Sequence, residues 1–302
     1  MVTKGSHRTD RLSVLPEEEG LRIDRLVARR LGIPRSHAHA LVKGGQVLVE
    51  EQCPQPSRRV SAGQTVEVVW EGPGLQPTPH HLPILYQDAD IVAVDKPQGM
   101  PVHPVGAADR QPTVVTALLA LTTLAGGPAN RPGVVHRLDA PTTGVLVLAR
   151  NETSHASLSA QFRHRTVEKS YLAAVEGQVE AAEGTVEGRI GRDPHRPWKM
   201  TVSPTGRSAT THITVLHRTG GCTLLEVRPH TGRTHQIRVH LAAIGHPILG
   251  DSTYGTGNQR FLLHAWRLAI THPRRGERLL LEAPPPEAFG PWLAPKGSTR
   301  RQ

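Results

Sequence analysis

A carboxylate and an arginine stand two residues apart in Gly133-Val134-Val135-His136-Arg137-Leu138-Asp139. Side chains of those types could do nucleophilic or acid–base work. An apolar pair, Val134-Val135, leads in. Ala140-Pro141-Thr142-Thr143-Gly144 reads as a turn, and the apolar run Val145-Leu146-Val147-Leu148-Ala149 leaves it. The pattern predicts a strand ending at Asp139 and a buried strand beyond. Alternation along a strand sets positions 137 and 139 on one face. A carboxylate beside an arginine keeps its charge, because the opposite charge lowers its pKa. An anionic, partly desolvated carboxylate is a usable nucleophile. Taken alone, the same residues also describe an Asx turn closing a hairpin.

A second run holds more cations. It reads Arg228-Pro229-His230-Thr231-Gly232-Arg233-Thr234-His235-Gln236-Ile237-Arg238-Val239-His240-Leu241, followed by Gly245-His246 and later Gly250-Asp251 and Tyr254-Gly255. A strand turns at Gly232 into a helix whose apolar side includes Ile237, Leu241 and Ile244. Arg233 stands at the junction. Arginines and histidines this dense suit phosphate or carboxylate binding. His230, His235 and His240 recur every five residues, a spacing that does not hold one helical face. No Cys or acidic ligand lies among them, so no metal site is expected. Two further segments complete the set: Lys169-Ser170-Tyr171, opening an apolar strand, and Val94-Asp95-Lys96-Pro97-Gln98-Gly99, a strand running into a loop with Lys96 at its mouth.

These groups need a scaffold. Residues 84–290 show many strand signals, at 91–94, 134–135, 145–148, 171–175, 213–216 and 224–227. Helical stretches are fewer, at 113–124, 153–165 and 234–244, and residues 177–204 read as an extended hairpin. Strands that outnumber helices without alternating with them predict an α+β fold, a mixed and mostly antiparallel sheet with flanking helices. In front, residues 21–70 read as a small α+β unit. Ile23, Leu26, Val27 and Leu31 recur at helical spacing, a second short helix carries Ala38, Leu41 and Val42, and two strands follow. Its polar side holds Arg22, Arg25, Arg29, Arg30, Arg35, Lys43, Arg58 and Arg59, against Asp24, Glu50, Glu51 and Glu67. Residues 1–20 are expected to be disordered, 71–83 a Pro/Gly-rich linker, and 291–302 a loose tail.

The chain has 302 residues, with 36 Lys and Arg against 26 Asp and Glu and a net charge of +10. Such an excess favours a polyanionic partner, since basic side chains release counterions from phosphate. No apolar run is long enough to span a membrane. The first 20 residues lack the apolar segment of a signal peptide. Two cysteines, Cys53 and Cys222, make a disulfide framework unexpected and fit a reducing cytoplasm.

Residues 21–70 resemble the small RNA-binding domain named after ribosomal protein S4. The matching residues are Leu21-Arg22-Ile23-Asp24-Arg25-Leu26, Arg35-Ser36, Gly44-Gly45-Gln46-Val47-Leu48-Val49 and Val60 to Val69. That family usually turns with Val-Asn-Gly where this chain has Val49-Glu50-Glu51-Gln52. The rest resembles RluA-type RNA pseudouridine synthases. The specific parts are His136-Arg137-Leu138-Asp139 with its Thr-Gly turn, and Thr231-Gly232-Arg233-Thr234-His235-Gln236-Ile237-Arg238-Val239-His240, with Tyr171 between them and the Lys96-Pro97 loop upstream. The resemblance implies isomerisation of uridine to pseudouridine in structured RNA. Ribosomal RNA is favoured and transfer RNA is the other candidate. It implies Asp139 as the catalytic carboxylate, Tyr171 stacking on the flipped uracil, and Arg233 as the partner that fixes Asp139. RNA contacts are expected from Arg137, Lys96, His136, His235 and Arg238, and in the front unit from Arg25, Arg29, Arg35 and Lys43. No cofactor is expected, because the reaction exchanges bonds within one nucleotide. A cytoplasmic monomer is the default. A non-catalytic RNA-binding or ribosome-assembly factor is the competing reading, and binding alone would not require the Asp139, Tyr171 and Arg233 set.

Overall fold

The computed structural model describes residues 8–70, 75–104, 111–128 and 130–293. In chain order the first elements are β1 (Arg8–Ser13), α1 (Ile23–Leu31), α2 (Arg35–Lys43), β2 (Val47–Val49), β3 (Thr65–Trp70), β4 (Ile84–Gln87), β5 (Ile91–Lys96) and α3 (Val114–Leu119). Then come β6 (Thr143–Ala149), α4 (Glu152–His164), β7 (Glu168–Glu176), β8 (Glu183–Arg192), β9 (Met200–Val202), β10 (Arg207–Thr219), β11 (Cys222–Pro229), α5 (Gln236–Ala243), β12 (Leu263–Thr271), β13 (Arg278–Glu282) and α6 (Gly290–Leu293). The chain divides into two units. One takes residues 1–80 with 103–132, the other 81–102 with 133–302.

In the first unit a three-stranded sheet runs β1-β3-β2. Helices α1 and α2 cover it, burying Ile23, Leu26, Val27, Leu41 and Val42 against Val47, Val49, Val66 and Val68. Gly32 ends α1 in the left-handed conformation, φ 64°, which glycine adopts without steric cost. The expected disorder of residues 1–20 is corrected for residues 8–20. Residues 8–13 pair with β3 in register from Arg8↔Trp70 to Ser13↔Thr65, and a 3-10 turn follows at Pro16–Glu18. A polar strand on a sheet edge carries almost no apolar signal, and Leu12 is its lone large apolar residue. Residues 1–7 lie outside the described residues. Helix α3 falls in this unit too, although its residues are expected in the larger domain. Residues 75–83 of the expected linker run without helix or strand, and 71–74 lie outside the described residues, as do 294–302 of the expected tail.

In the second unit ten strands form one sheet, ordered β4-β5-β6-β12-β7-β11-β10-β8-β9, with β13 beside β12. Its only parallel pair among the described residues is β6 with β12, so the sheet is mixed and mostly antiparallel. Helix α4 adds Leu158 to a core with Ile91, Val145, Val147, Leu268 and Ile270. Helix α5 sets Ile237 and Leu241 against Ala173, Val175, Leu225 and Val227. All seven residues of β6 are buried. Gly144 must be glycine: a Cβ there would lie 2.2 Å from the Ala265 carbonyl oxygen of the parallel neighbour β12, and its φ is 109°. The expected strand at 134–135 is a single bridge, Val134↔Leu148, and residues 135–139 are loop.

Candidate active site

Asp139 sits on the loop that enters β6, and five hydrogen bonds fix that loop and its neighbour. Thr142 N donates to the Asp139 carbonyl (3.0 Å), closing the turn. The next carbonyl, Ala140 O, accepts from Gly99 N (2.8 Å) and from Lys96 Nζ (2.9 Å). Lys96 Nζ also donates to Pro97 O (2.9 Å) and Met100 O (2.8 Å). An ammonium has three donors, and all three are spent on carbonyls. Lys96 is fully buried, and burial pushes its pKa down to about 7. The expected RNA contact by Lys96 is therefore corrected: its ammonium is a peg joining two loops.

The cation beside Asp139 is Arg238, not Arg233. Arg238 Nη1 lies 3.5 Å from Asp139 Oδ2. Its other edge grips Asp251 twice, Nε to Oδ2 at 2.7 Å and Nη2 to Oδ1 at 2.8 Å. Asp251 is fully buried and Arg238 is 6% exposed. Desolvation opposes charge on both, and their mutual hydrogen bonds overcome it: the Asp251 pKa lies below the usual carboxylate value, and that of Arg238 above the usual guanidinium value. Arg238, expected to face RNA, is thus an internal clamp. Arg233 points its Nε at the Ser208 carbonyl (3.1 Å) and lines the cavity mouth. The distinction is one of helix phase. Arg238 lies on the inward face of α5, whereas Arg233 precedes the helix in a loop folded around Gln236, whose Oε1 accepts from Arg233 N (3.0 Å) and from Thr231 Oγ1 (2.6 Å).

His235 also turns inward. Its Nε2 lies 3.9 Å from Asp139 Oδ2, and its Nδ1 meets the Tyr254 hydroxyl at 2.9 Å. It holds a left-handed backbone, φ 55°, unusual for a residue with a Cβ. Burial lowers its pKa. Tyr254 lies edge-on to His235 and under the Arg238 guanidinium, 5.0 Å from ring centroid to Cζ. His136 is corrected as well. Its Nε2 accepts from Val147 N (3.1 Å), so that nitrogen carries no proton, and the ring stacks on Phe162 with centroids 4.5 Å apart. Burial holds its pKa near 3, and it is a packed, neutral imidazole.

These residues surround a cavity of about 490 Å³, lined by Arg137, Asp139, Lys169, Tyr171, Arg233 and His235 among others. Lys169 and Tyr171 are alternate residues of β7 and point into it together, as the pleat requires. Burial raises the Tyr171 pKa, with the Asp139 charge adding to it, so the phenol keeps its proton. Burial lowers Lys169 to about 8, with Arg165 nearby adding to the effect. Arg137 is exposed at the rim. Of the expected residues, the fold thus brings Asp139, Tyr171, Arg137, Arg233, His235 and Arg238 to one cavity. The expected sharing of a strand face by Arg137 and Asp139 is replaced by a shared loop. Sequence reasoning gave no role to Asp251 and Tyr254, although both stand in the run that follows α5. The composition of that run, an acid and a phenol just after a helix of inward cations, was the available signal.

His230, His235 and His240 do not converge: His230 is exposed and His240 is fully buried. One cluster with metal-like spacing does occur among the described residues, Asp88, Asp90 and His272. Its donor atoms are already used. His272 Nδ1 accepts from Arg274 N and Arg275 N, its Nε2 bonds Asp88 Oδ2 at 2.7 Å, and Arg274 Nε pairs with Asp90 at 2.8 Å. This is an internal ionic network that ties β4, β5 and the end of β12.

In the first unit Arg25, Arg29, Arg35 and Lys43 are all exposed. Arg35 is only half free, since its Nε and Nη2 both reach Asp24 (3.1 and 3.0 Å). The described residues hold no ion pair for Arg25, Arg29 or Lys43.

Comparison with known proteins places the chain in a family. Residues 90–243 match the family model described as RNA pseudouridylate synthase, and residues 21–66 match the S4 domain. The chain is 40% identical to an uncharacterized RNA pseudouridine synthase of Aquifex aeolicus, across 90% of this chain and 93% of that protein. It is 37% identical to ribosomal large subunit pseudouridine synthase D of Nitrosomonas europaea, across 93% of this chain and 86% of that protein. Among solved structures, human RNA pseudouridylate synthase domain containing 1 aligns at TM-score 0.59 and 27% identity, covering 70% of this chain and 86% of that one.

Proposed function

Because the chain belongs to the RNA pseudouridylate synthase family and is an RNA pseudouridine synthase, we propose that Asp139 is its catalytic carboxylate and large-subunit ribosomal RNA its substrate. The observation that carries the reading is the placement of Asp139. Its carboxylate opens on a cavity large enough for a nucleoside, with the buried Arg238 3.5 Å behind it and Tyr171 in the wall.

The reaction breaks the N1–C1′ bond of a uridine and forms a C1′–C5 bond. N1 gains a proton and the hydrogen on C5 is lost to solvent. Nothing is oxidised and no group is transferred from outside, so the side chains suffice. A uracil inside folded RNA must be flipped out to reach this cavity. Tyr171 offers the face for it to stack on. Arg137, exposed at the rim, takes the position the base leaves, and Arg233 binds backbone phosphate at the mouth. Asp139 then acts on the ribose, held by a fixed charge that needs no rearrangement as the bond breaks. Arg238 is buried and doubly anchored, so it serves as that fixed charge.

Support for ribosomal RNA comes from three directions. Relatives such as those of Nitrosomonas europaea and Neisseria meningitidis carry the name ribosomal large subunit pseudouridine synthase D. The front unit matches an S4 domain, and the chain's net charge is +10. We place the enzyme in the cytoplasm as a monomer, beside the ribosomal RNA that the names of its relatives point to.

The test is tritium release from large-subunit ribosomal RNA transcribed with [5-³H]uridine. The wild-type chain is expected to release tritium at one or a few positions, and Asp139→Asn none while still binding the RNA. An Asp139→Asn protein that releases tritium at the wild-type rate would show that Asp139 is not the catalytic carboxylate. Release from transfer RNA but not ribosomal RNA would overturn the substrate.

A further inference from the structure

The turn between β8 and β9 reads Asp193-Pro194-His195-Arg196-Pro197-Trp198-Lys199. Trp198 is 73% exposed, the most exposed large apolar side chain among the described residues. The turn that displays it is well ordered. Asp193 Oδ1 accepts from His195 N (2.8 Å) and Arg196 N (3.0 Å). Asp193 N donates to Lys199 O (3.0 Å) and Lys199 N to Arg196 O (2.8 Å). Arg192 Nη1 donates to Pro197 O (2.8 Å), and two prolines fix their own φ. An indole displayed in water forgoes burial, and the hydrogen-bonded backbone that carries it has less conformational freedom to lose on binding.

Its neighbours define the partner. Arg192 and Arg196 are exposed and Lys199 is half-buried, whereas the one acid, Asp193, spends an oxygen on the turn itself. A flat apolar surface on a turn that also carries these cations fits a π-face carried on a phosphate backbone. That describes an unpaired base. Bases within a duplex stack on each other and present no free face.

The turn is also joined to the catalytic loop. Met200 N donates to the Tyr254 hydroxyl (2.9 Å), which meets His235 Nδ1 (2.9 Å). Lys199 Nζ stands 4.9 Å from the Tyr254 ring centroid, and the Arg238 guanidinium 5.0 Å from it. Tyr254 therefore supports both the turn and the arginine beside Asp139.

We propose that Trp198 is a stacking platform for an unpaired base flanking the target uridine, and that the β8–β9 turn holds a single-stranded stretch of the substrate beside the cavity. This rests on the reading of the chain as an enzyme acting on RNA. The platform is specific to unpaired RNA, so it selects loops and bulges over helices.

Binding of the full-length protein to a fluorescein-labelled oligouridylate, and to an RNA duplex of equal charge, tests it. Trp198→Ala is expected to weaken oligouridylate binding by about 5- to 150-fold, the range of one lost base–aromatic stack. Trp198→Phe should recover most of that. Duplex binding should not change. The slope of log Kd against log salt should also stay the same, because no cation has been removed. Oligouridylate binding unchanged in Trp198→Ala overturns the platform, and so does an equal loss on the duplex. The side chain is exposed, so an unchanged thermal midpoint confirms that the variant is folded. Tritium release from ribosomal RNA by wild type is measured in parallel. If release occurs but Trp198→Ala binds oligouridylate normally, the platform fails and the enzyme reading stands. If binding falls as expected but wild type releases no tritium from any RNA, the platform stands and the enzyme reading fails.

Discussion

Arg238 divides one guanidinium between two carboxylates, two bonds to Asp251 and a 3.5 Å approach to Asp139. The planar fork holds Asp251 by two parallel bonds while its remaining nitrogen faces Asp139, and the point charge of a lysine cannot reproduce that bidentate geometry. Arg238→Lys is expected to lower kcat by about a hundredfold, comparable to losing one preorganised electrostatic group. Arg233→Lys keeps a charge at the cavity mouth and should raise KM with little change in kcat. A kinetic comparison of the two variants checks the assignment, and equal loss of kcat in both would undo it. Motif content was enough to single out Asp139, Tyr171, Arg137 and the arginine-rich run, which share one cavity. It could not say which of two arginines five residues apart turns inward, because that depends on where α5 begins. His136 was misread for a related reason: a histidine beside a catalytic motif can face solvent or core, and only packing against Phe162 decides. Its folded pKa is near 3, below the ordinary histidine value, with burial the main cause. The unfolded chain therefore takes up a proton, between about pH 6.5 and 3, that the folded chain refuses. Stability from this site is full above that window and is lost as pH falls through it. His136→Gln keeps an acceptor for Val147 N and cannot titrate. Its urea midpoint should lie below wild type at neutral pH, for lost stacking, and fall less steeply on acidification. Parallel pH profiles would contradict this.

At the scale of elements, the turn Val49-Glu50-Glu51-Gln52 shows what local sequence can hide. Both central glutamates hold positive φ, 48° and 63°, and Val49 and Gln52 exchange backbone bonds at 2.9 and 3.1 Å. Asn-Gly is the usual occupant of such a turn, so Glu-Glu disguises it. The Glu50 carboxylate accepts from Thr65 N, which anchors the first of the two. Glu51 has no such compensation among the described contacts. A left-handed residue with a Cβ costs about 1–2 kcal/mol, and glycine's extra unfolded entropy costs about 0.5–1 kcal/mol. Glu51→Gly is thus expected to stabilise the first unit by about 0.5 kcal/mol or slightly more. A higher denaturant midpoint at unchanged slope checks it, and a lower midpoint would show that the turn is not strained. Strands buried on both faces, such as β5 and β6, were legible because continuous apolar runs announce them. Strand β1 was not, since six mostly polar residues gain their place from an open edge of β3. The apolar pair Val134-Val135 erred in the other direction. It makes one bridge and then yields to the loop that Lys96 and Gly99 hold for Asp139.

For the whole molecule, the +10 charge pointed to a polyanion, and the family match makes that partner RNA. The boundary between the two units was less visible, because residues 103–132 group with the front unit through contacts distant in sequence. Charge alone does not say which cations meet phosphate. Ion pairing separates them: Arg35 leans on Asp24, whereas Arg25, Arg29 and Lys43 are exposed without an ion pair among the described residues. Arg25 and Arg29, four residues apart on α1, share a face. If all three contact the backbone, replacing them by serine removes three counterion-releasing contacts. The slope of log K against log salt for ribosomal RNA should then fall by about two, at roughly 0.7 per contact. Turnover at saturating RNA should be preserved, since none of the three lines the cavity. An unchanged slope would mean that these cations face water in the complex. A fall in kcat with no change in slope would mean that the front unit acts on the chemistry rather than on affinity.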